Sequence, residues 1–124
     1  TQNNGTIQDL PYDAIVEVSA QITSHGTVPF NWGEFMPAAR GMIQLMKGME
    51  ETVIRAAVEG NYGAALHAFT IHPLVPGGQM AKRVLDELLY AHKAHLPQFA
   101  DKIAEIEANQ PDVVAYVDEL MQSN

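Results

Sequence analysis

The sequence predicts a mainly α-helical domain with one small β-hairpin, an α+β arrangement. Three observations lead to this prediction. Apolar residues recur at helical spacing over most of the chain after residue 36, and proline or glycine separates the periodic segments. Before residue 36, one segment instead alternates apolar and polar side chains with a period of two. Finally, 47% of the 124 residues are apolar, which allows a chain of this length to bury one core.

The N-terminal residues predict a loop followed by a hairpin. Residues 1–13 are polar and turn-forming, so we expect a loop there. Residues 14–22 alternate apolar and polar side chains, which predicts a half-buried strand. Residues 24–26 predict the turn, and residues 27–30 predict the returning strand. That strand is expected at an edge, because Pro29 has no N–H to donate to a sheet.

The rest of the chain predicts five helices, of which the first is the longest. They are expected at residues 36–59, 62–71 and 79–95, followed by two that begin at Pro97 and Pro111. Gly60 is expected to end the first helix because glycine tolerates the left-handed conformation that closes a helix. Proline is favoured at the first helical position, which places the starts of the last two helices. On the third helix, Asp86, Glu87 and Lys93 are expected to face solvent.

The last two predicted helices are amphipathic. Their expected apolar stripes consist of Phe99, Ile103 and Ile106 on one helix and Val113, Val114, Val117, Leu120 and Met121 on the other. Residues 100–124 carry six acidic side chains against one lysine. We therefore expect this acidic tail to pack through its apolar stripes and to expose a negatively charged face.

The composition excludes several classes of function. The chain has 15 acidic and 7 basic residues and a formal charge of −8, so neither nucleic acid nor an anionic membrane surface is expected as a partner. The absence of cysteine excludes disulfides and thiolate-bound metals. Neither a bilayer-spanning apolar run nor a secretion signal is visible, and a cytoplasmic location is expected.

Histidines are the remaining candidates for a metal site. His92 and His95 lie three residues apart on a predicted helix, so both rings could reach one side; His67 and His72 add further imidazoles. Zinc requires three or four converging ligands, and the sequence places no third ligand beside this pair. We therefore expect packing or surface histidines and predict no metal site.

Two other catalytic patterns are missing from the sequence. Gly77 and Gly78 lack the G-x-G-x-x-G spacing of a dinucleotide-binding turn. Glu50 and Glu51 are adjacent, so they point in different directions on a helix and cannot form an opposed carboxylate pair. One candidate ligand contact remains, at Asn4-Gly5, where the amide could bind a polar ligand and glycine would allow close approach. A plain turn explains this pair equally well.

Six short stretches occur in a fixed order along the chain: NNG at residues 3–5, DLP at 9–11, AIVEV at 14–18, EETVIRAAVEG at 50–60, IHPLVP at 71–76 and AHKAHLPQF at 91–99. Together they resemble the C-terminal part of the NAD-dependent glycoside hydrolases of family 4, most closely the 6-phospho-β-glucosidases. The resemblance covers residues 3–99 and rests on the collinear order of the stretches. No single stretch is diagnostic.

The resemblance implies that the chain is a fragment. It would be the C-terminal part of a lactate-dehydrogenase-like C-terminal domain, with the N-terminal Rossmann domain missing; the start at Thr1 instead of Met agrees with this expectation. Family members cleave phosphorylated sugars by redox-assisted elimination, using NAD and a divalent metal, usually manganese. None of that machinery can be placed on this chain, so the resemblance transfers no catalytic, cofactor-binding or metal-binding residue. Only Asn4 and Gly5 are predicted to contact substrate.

The expected domain is a single C-terminal fragment, residues 1–124. It divides into a loop and hairpin at 1–35, a helical family-like core at 36–99 and the acidic helical tail at 100–124. The fragment is expected to be inactive alone and to contribute a pocket wall and a subunit interface to a homo-oligomer. The alternative is a free-standing helical interaction or oligomerisation module. An independent metal-dependent enzyme built on the histidines is the least favoured hypothesis.

Overall fold

The computed structural model describes residues 1–123, so Asn124, the last residue of the predicted tail, lies outside the described residues. The residues form two compact units, Thr1–Gly48 and the described residues from Met49 onward. Two strands and five α-helices follow one another as β1 (Ala20–Thr23), β2 (Gly26–Pro29), α1 (Pro37–Glu59), α2 (Tyr62–Ile71), α3 (Gly78–Ala91), α4 (Ala100–Asn109) and α5 (Pro111–Gln122). The predicted fold class, mainly helical with one hairpin, is confirmed.

The hairpin of the first unit has the expected place but a shorter first strand. Strands β1 and β2 pair antiparallel, with Ala20 opposite Pro29 and Thr23 opposite Gly26. The prediction of a strand over residues 14–22 was wrong for residues 14–19. The backbone of Ala14 and Val16 bonds to the N-terminal loop instead, as the Val16 N–H does to the Thr1 carbonyl at 2.8 Å.

Helix α1 matches its prediction at both ends. Only Ala56 among its 23 residues is buried. The helix stops at Gly60, whose φ of 67° lies in the left-handed region. A side chain at this position would also collide with the backbone, since a Cβ atom on Gly60 would lie 2.2 Å from the carbonyl oxygen of Gln98. Both facts require glycine where α1 ends.

The core of the second unit is apolar and is assembled from all of its α-helices. It consists of Ala56, Ala65, Leu85, Leu89, Tyr90, Phe99, Ile103, Ile106, Val113 and Val117. The predicted inward stripes of the last two helices supply half of these residues. Leu120 and Met121 depart from the stripe and are exposed, because the last turn of α5 extends past the core. The buried residues of both tail helices therefore hold the tail on the unit.

Helix α3 is shorter than predicted. It ends at Ala91, four residues before the expected end at residue 95, and His92 closes it by donating its N–H to the Leu88 carbonyl at 3.0 Å. Residues Lys93–His95 then form a 3₁₀ turn, and a second one, Pro97–Phe99, leads directly into α4. Pro97 therefore opens a 3₁₀ turn, whereas Pro111 opens α5 as expected. None of the helices among residues 1–123 is long and apolar enough to cross a bilayer.

The prediction that Asp86 faces solvent was wrong. Its side chain is fully buried, with 0% exposure. The carboxylate accepts hydrogen bonds from the Tyr62 hydroxyl at 2.7 Å and the Gln110 amide at 2.9 Å, and it forms an ion pair with Lys82 one turn earlier on α3. These three donors replace the water that a buried charge would lose, so the group can remain ionised inside the unit.

The pKa values of Tyr62 and Asp86 in this cluster are shifted in opposite directions. Burial alone would raise the pKa of Asp86, but the hydrogen bonds from Lys82, Tyr62 and Gln110 hold that pKa below its usual value. Burial, followed by the hydrogen bond to Asp86, raises the pKa of Tyr62 far above its usual value. Tyr62 is therefore a stable proton donor and Asp86 a stable acceptor at neutral pH.

Substituting Gly60→Ala is expected to destabilise the chain. The left-handed backbone alone costs about 1–2 kcal/mol for a residue with a Cβ, and the collision with the Gln98 carbonyl adds to that cost. The free energy of unfolding from urea titration measures the effect. Gly41→Ala is the matched control, because Gly41 lies inside α1 with open space around it and should gain up to about 1 kcal/mol. Equal effects of the two substitutions would contradict this assignment.

Substituting Asp86→Asn is expected to lower the free energy of unfolding at pH 7 by about 2 kcal/mol, since a charge-assisted acceptor is lost. Because folding lowers the pKa of Asp86, its contribution is present above the unfolded pKa of about 4 and is lost as the pH falls through the folded pKa. The difference in the free energy of unfolding between wild type and variant should therefore become smaller at acid pH. Urea titrations at pH 7 and pH 3 test this, with the exposed Glu119→Gln as control. A gap that stays constant with pH would disprove the assignment.

Candidate functional site

The N-terminal loop, which holds the residues predicted to contact substrate, is organised by the side chain of Asn3. Asn3 is fully buried, with 0% exposure. Its amide nitrogen donates to the carbonyls of Ile7, Leu10 and Pro11 at 2.9, 3.2 and 2.9 Å, and its amide oxygen accepts from the Ile7 N–H at 2.7 Å. One asparagine side chain thus supplies the hydrogen bonds that a regular element would otherwise give these backbone groups.

Asn4 and Gly5 lie at the turn beside this centre. Both have positive φ values, 47° and 83°. Asn4 is exposed, and the contact of its side-chain amide with the Gln2 carbonyl is long, at 3.5 Å. The N–H of Gly5 has no hydrogen-bond partner among the described residues. A polar ligand approaching the loop could therefore meet the Asn4 amide and the Gly5 N–H, and their substrate contact stays a prediction.

A second polar cluster fixes the loop to the start of α1. The Asp9 carboxylate accepts from the Phe35 N–H at 2.7 Å and pairs with Arg40 Nε at 2.8 Å. Arg40 also donates to the Phe35 carbonyl at 3.2 Å and to Glu34 at 3.1 Å. The Asp9 backbone carbonyl accepts from the Gln44 side chain at 2.9 Å. The loop is therefore held by side chains at both of its ends.

Sequence reasoning placed neither Asn3 nor Asp9 in these roles. Both lie in stretches that carry the family resemblance, but their partners are as much as 35 residues away, as Gln44 is from Asp9. A polar residue inside a turn-forming segment is the signal that could have indicated Asn3, because such residues often bond to nearby backbone.

The histidines considered as metal ligands do not form a site. His92 and His95 are both exposed, one at the end of α3 and the other in the 3₁₀ turn that follows. Among residues 1–123, no group of three or more histidine, aspartate or glutamate side chains is arranged to hold a metal ion.

The chain matches a known protein family over more than half of its length. The sequence profile described as "Family 4 glycosyl hydrolase C-terminal domain" matches residues 1–75, which include the loop, the hairpin, α1 and α2. The chain belongs to this family. The resemblance identified from the six stretches is thereby confirmed.

Individual relatives of this family 4 chain have different specificities. It is 48% identical over 103 residues to a probable 6-phospho-beta-glucosidase of Bacillus subtilis, a match that covers 83% of the chain and 23% of that protein. It is 31% identical over 96 residues to a maltose-6'-phosphate glucosidase of Fusobacterium mortiferum, covering 77% of the chain and 22% of the relative. The family 4 chain thus spans less than a quarter of the length of these relatives.

Two solved structures of 6-phospho-alpha-glucosidases have a fold similar to that of this chain. A 6-phospho-alpha-glucosidase from gut microorganisms, in complex with NAD and glucose-6-phosphate, matches with a TM-score of 0.70 at 34% identity, over 78% of the family 4 chain and 23% of that structure. Another 6-phospho-alpha-glucosidase from gut microorganisms, in complex with NAD and Mn²⁺, matches with a TM-score of 0.68 at 26% identity, over 75% and 22%.

Replacing Asn3 by alanine is expected to destabilise the N-terminal unit by about 3 kcal/mol, because it removes four hydrogen bonds and leaves the buried Ile7 N–H without its partner. Asn4→Gly is the matched control: it removes the neighbouring exposed amide and keeps a residue that tolerates positive φ. Trp32 is the only tryptophan and lies in this unit, so its fluorescence during urea unfolding reports the effect. Comparable losses in both variants would show that Asn3 is not the centre of the loop.

Proposed function

We propose that this chain is the C-terminal part of a longer family 4 phosphoglycosidase that cleaves 6-phospho-β-glucosides. The main support is the 48% identity to a probable 6-phospho-beta-glucosidase, together with coverage of only 23% of that protein. The β preference rests on that relative alone, because the relatives and structures named for α-glucosides, at 26–34% identity, are about as distant as two further 6-phospho-beta-glucosidases, at 31% and 32%. The coarser assignment, membership of family 4, does not depend on that preference.

The parent enzyme is proposed to use NAD and manganese, as the ligands of the two similar structures suggest. Bound NAD would supply redox chemistry at the sugar ring. The described residues do not fit either group: they include no cysteine, no cluster of metal ligands and no glycine-rich phosphate turn. Both cofactors are therefore assigned to the part of the parent outside this chain, and the chain alone is expected to be inactive.

The chain is proposed to contribute a wall of the sugar-phosphate pocket through its N-terminal loop. The exposed amide of Asn4 and the unpaired N–H of Gly5 are neutral donors that suit hydroxyl or phosphate oxygens of a substrate. The buried Asn3 holds these groups in place without contacting ligand itself. A cytoplasmic location of the parent belongs to the same proposal.

A role in assembly is supported by apolar side chains that this chain leaves exposed. In the second unit, Val58 is 79% exposed, Ile54 is 64% exposed and Leu74 is 86% exposed. Large apolar side chains grouped at a surface favour contact with another domain or subunit. We propose that they meet the rest of the parent or a second copy in a homo-oligomer. The same residues favour the alternative function, a free-standing helical interaction module.

One experiment separates the two functions. The reading frame that encodes this chain is extended upstream, and the longer protein is assayed with 6-phospho-β-glucosides and 6-phospho-α-glucosides in the presence of NAD and Mn²⁺. We expect hydrolysis, faster for the β-glucoside, and none by the 124-residue chain. A frame that starts near Thr1, or a longer protein inactive on both substrates, would contradict the enzyme hypothesis and favour the interaction module. Faster cleavage of the α-glucoside would reverse only the proposed specificity.

A further inference from the structure

The N-terminal unit contains an open groove that neither the loop nor the Asp9 cluster uses. Its volume is about 550 Å³, within the range of 300–1,000 Å³ typical of small-molecule sites. Four residues line it, namely Glu17, Val18, Ser19 and Trp32. All four belong to the same unit, so the groove is complete within it.

Trp32 forms a supported aromatic surface in this groove. Its ring lies nearly parallel to that of Phe35, with an interplanar angle of 7° and centroids 6.3 Å apart. Its backbone N–H donates to the Thr6 carbonyl at 2.9 Å, and the adjacent Gly33 carbonyl accepts from Gln8 at 3.0 Å. Nevertheless, Trp32 is 53% exposed. An aromatic ring that is fixed by such contacts and is still exposed to solvent can stack on a ligand with little loss of conformational freedom.

The polar side-chain groups of the groove form no hydrogen bonds or ion pairs with other described residues. Among residues 1–123, neither the Glu17 carboxylate, the Ser19 hydroxyl nor the Trp32 indole N–H has a hydrogen-bond or ion-pair partner. The Ser19 backbone carbonyl, by contrast, accepts from the Phe30 N–H at 2.9 Å, which fixes the position of that residue. The groove thus offers an acceptor, a group that both donates and accepts, and a donor beside one aromatic face.

We propose that this groove binds a neutral glycosyl unit, such as the unphosphorylated sugar of a disaccharide phosphate. A pyranose ring presents an apolar C–H face, which suits the open side of Trp32, and a rim of hydroxyls, which suits Glu17 and Ser19. The choice of a sugar as ligand rests on the proposed function of the parent. The groove and its free polar groups are properties of this chain alone.

The charge of the groove determines which part of a phosphorylated substrate it accepts. Glu17 is its only charged lining residue. A carboxylate close to a phosphate would repel it, whereas the same carboxylate strengthens hydrogen bonds from sugar hydroxyls. The groove is therefore assigned to the neutral sugar and not to the phosphorylated one.

The single tryptophan allows a direct test on the 124-residue chain. Cellobiose and glucose 6-phosphate are titrated separately while Trp32 fluorescence is followed. We expect a saturable change with cellobiose at millimolar concentration, and binding of glucose 6-phosphate weaker by at least about fivefold because of Glu17. Glu17→Gln and Ser19→Ala should each weaken cellobiose binding about three- to tenfold. Asp13→Asn, another exposed acidic residue of the same unit, should leave it unchanged.

Three results would overturn the proposal. The first is no saturable response to cellobiose up to about 100 mM, a range in which millimolar binding must appear. The others are an affinity for cellobiose in the Glu17 and Ser19 variants equal to that of the wild type, and binding of glucose 6-phosphate tighter than that of cellobiose. Circular dichroism confirms that each variant is folded, so a loss of response cannot come from unfolding. Any of these results would leave the assay of the longer protein unaffected, so the groove and the proposed function can fail independently.

Discussion

The second unit depends on one buried charge, the carboxylate of Asp86. Tyr62 from α2, Lys82 from α3 and Gln110 immediately before α5 all bond to it, so one side chain joins three elements. Burying an ion is costly unless its hydrogen-bonding capacity is filled. The three donors must therefore be present together, which fixes where α2 and α5 lie along α3 and allows the apolar core to close around them.

The packing of the acidic tail depends on further side-chain contacts with α3 and with the residue just beyond it. Helix α3 carries Arg83, which pairs with Asp112, and Tyr90, which donates to Asp118 at 3.1 Å. Lys93, just beyond α3, pairs with Glu107 at 2.7 Å. The exposed ion pairs of Arg83 and Lys93 add little to stability, so they select the register of the tail while the buried apolar residues hold it. The excess of negative charge in residues 100–124 is thus partly neutralised within the unit.

The N-terminal unit uses the same principle with one uncharged side chain, Asn3, and one carboxylate, Asp9. Asn3 and Asp9 bond to the backbone of an irregular loop and to the residues that begin α1. Because these two side chains provide the internal hydrogen bonds, the Gly5 N–H and the polar side chains of the groove beside Trp32 stay unpaired among the described residues. Rigid support combined with unpaired surface donors is the arrangement that a binding surface requires.

The sequence allowed the helices to be predicted but not the buried polar centres. Gly60 and Pro111 mark helix boundaries through local backbone chemistry, which acts within one or two residues and can be read directly. Asp86 was expected at the surface because charged residues are rarely buried; its burial depends on Tyr62 and Gln110, each 24 residues away. The likeness to family 4 placed Asn3 in a motif, yet only the fold shows that its side chain is structural and that of Asn4 is exposed.

Native-state hydrogen exchange tests most directly whether the Asp86 cluster joins α2, α3 and α5. If it does, the slowest amides of these three helices should exchange with one common free energy of opening, because no element can leave without breaking the shared hydrogen bonds. Exchange from α5 at a clearly lower free energy than from α3, with α3 still protected, would contradict this account. It would show that the tail opens independently of the buried carboxylate.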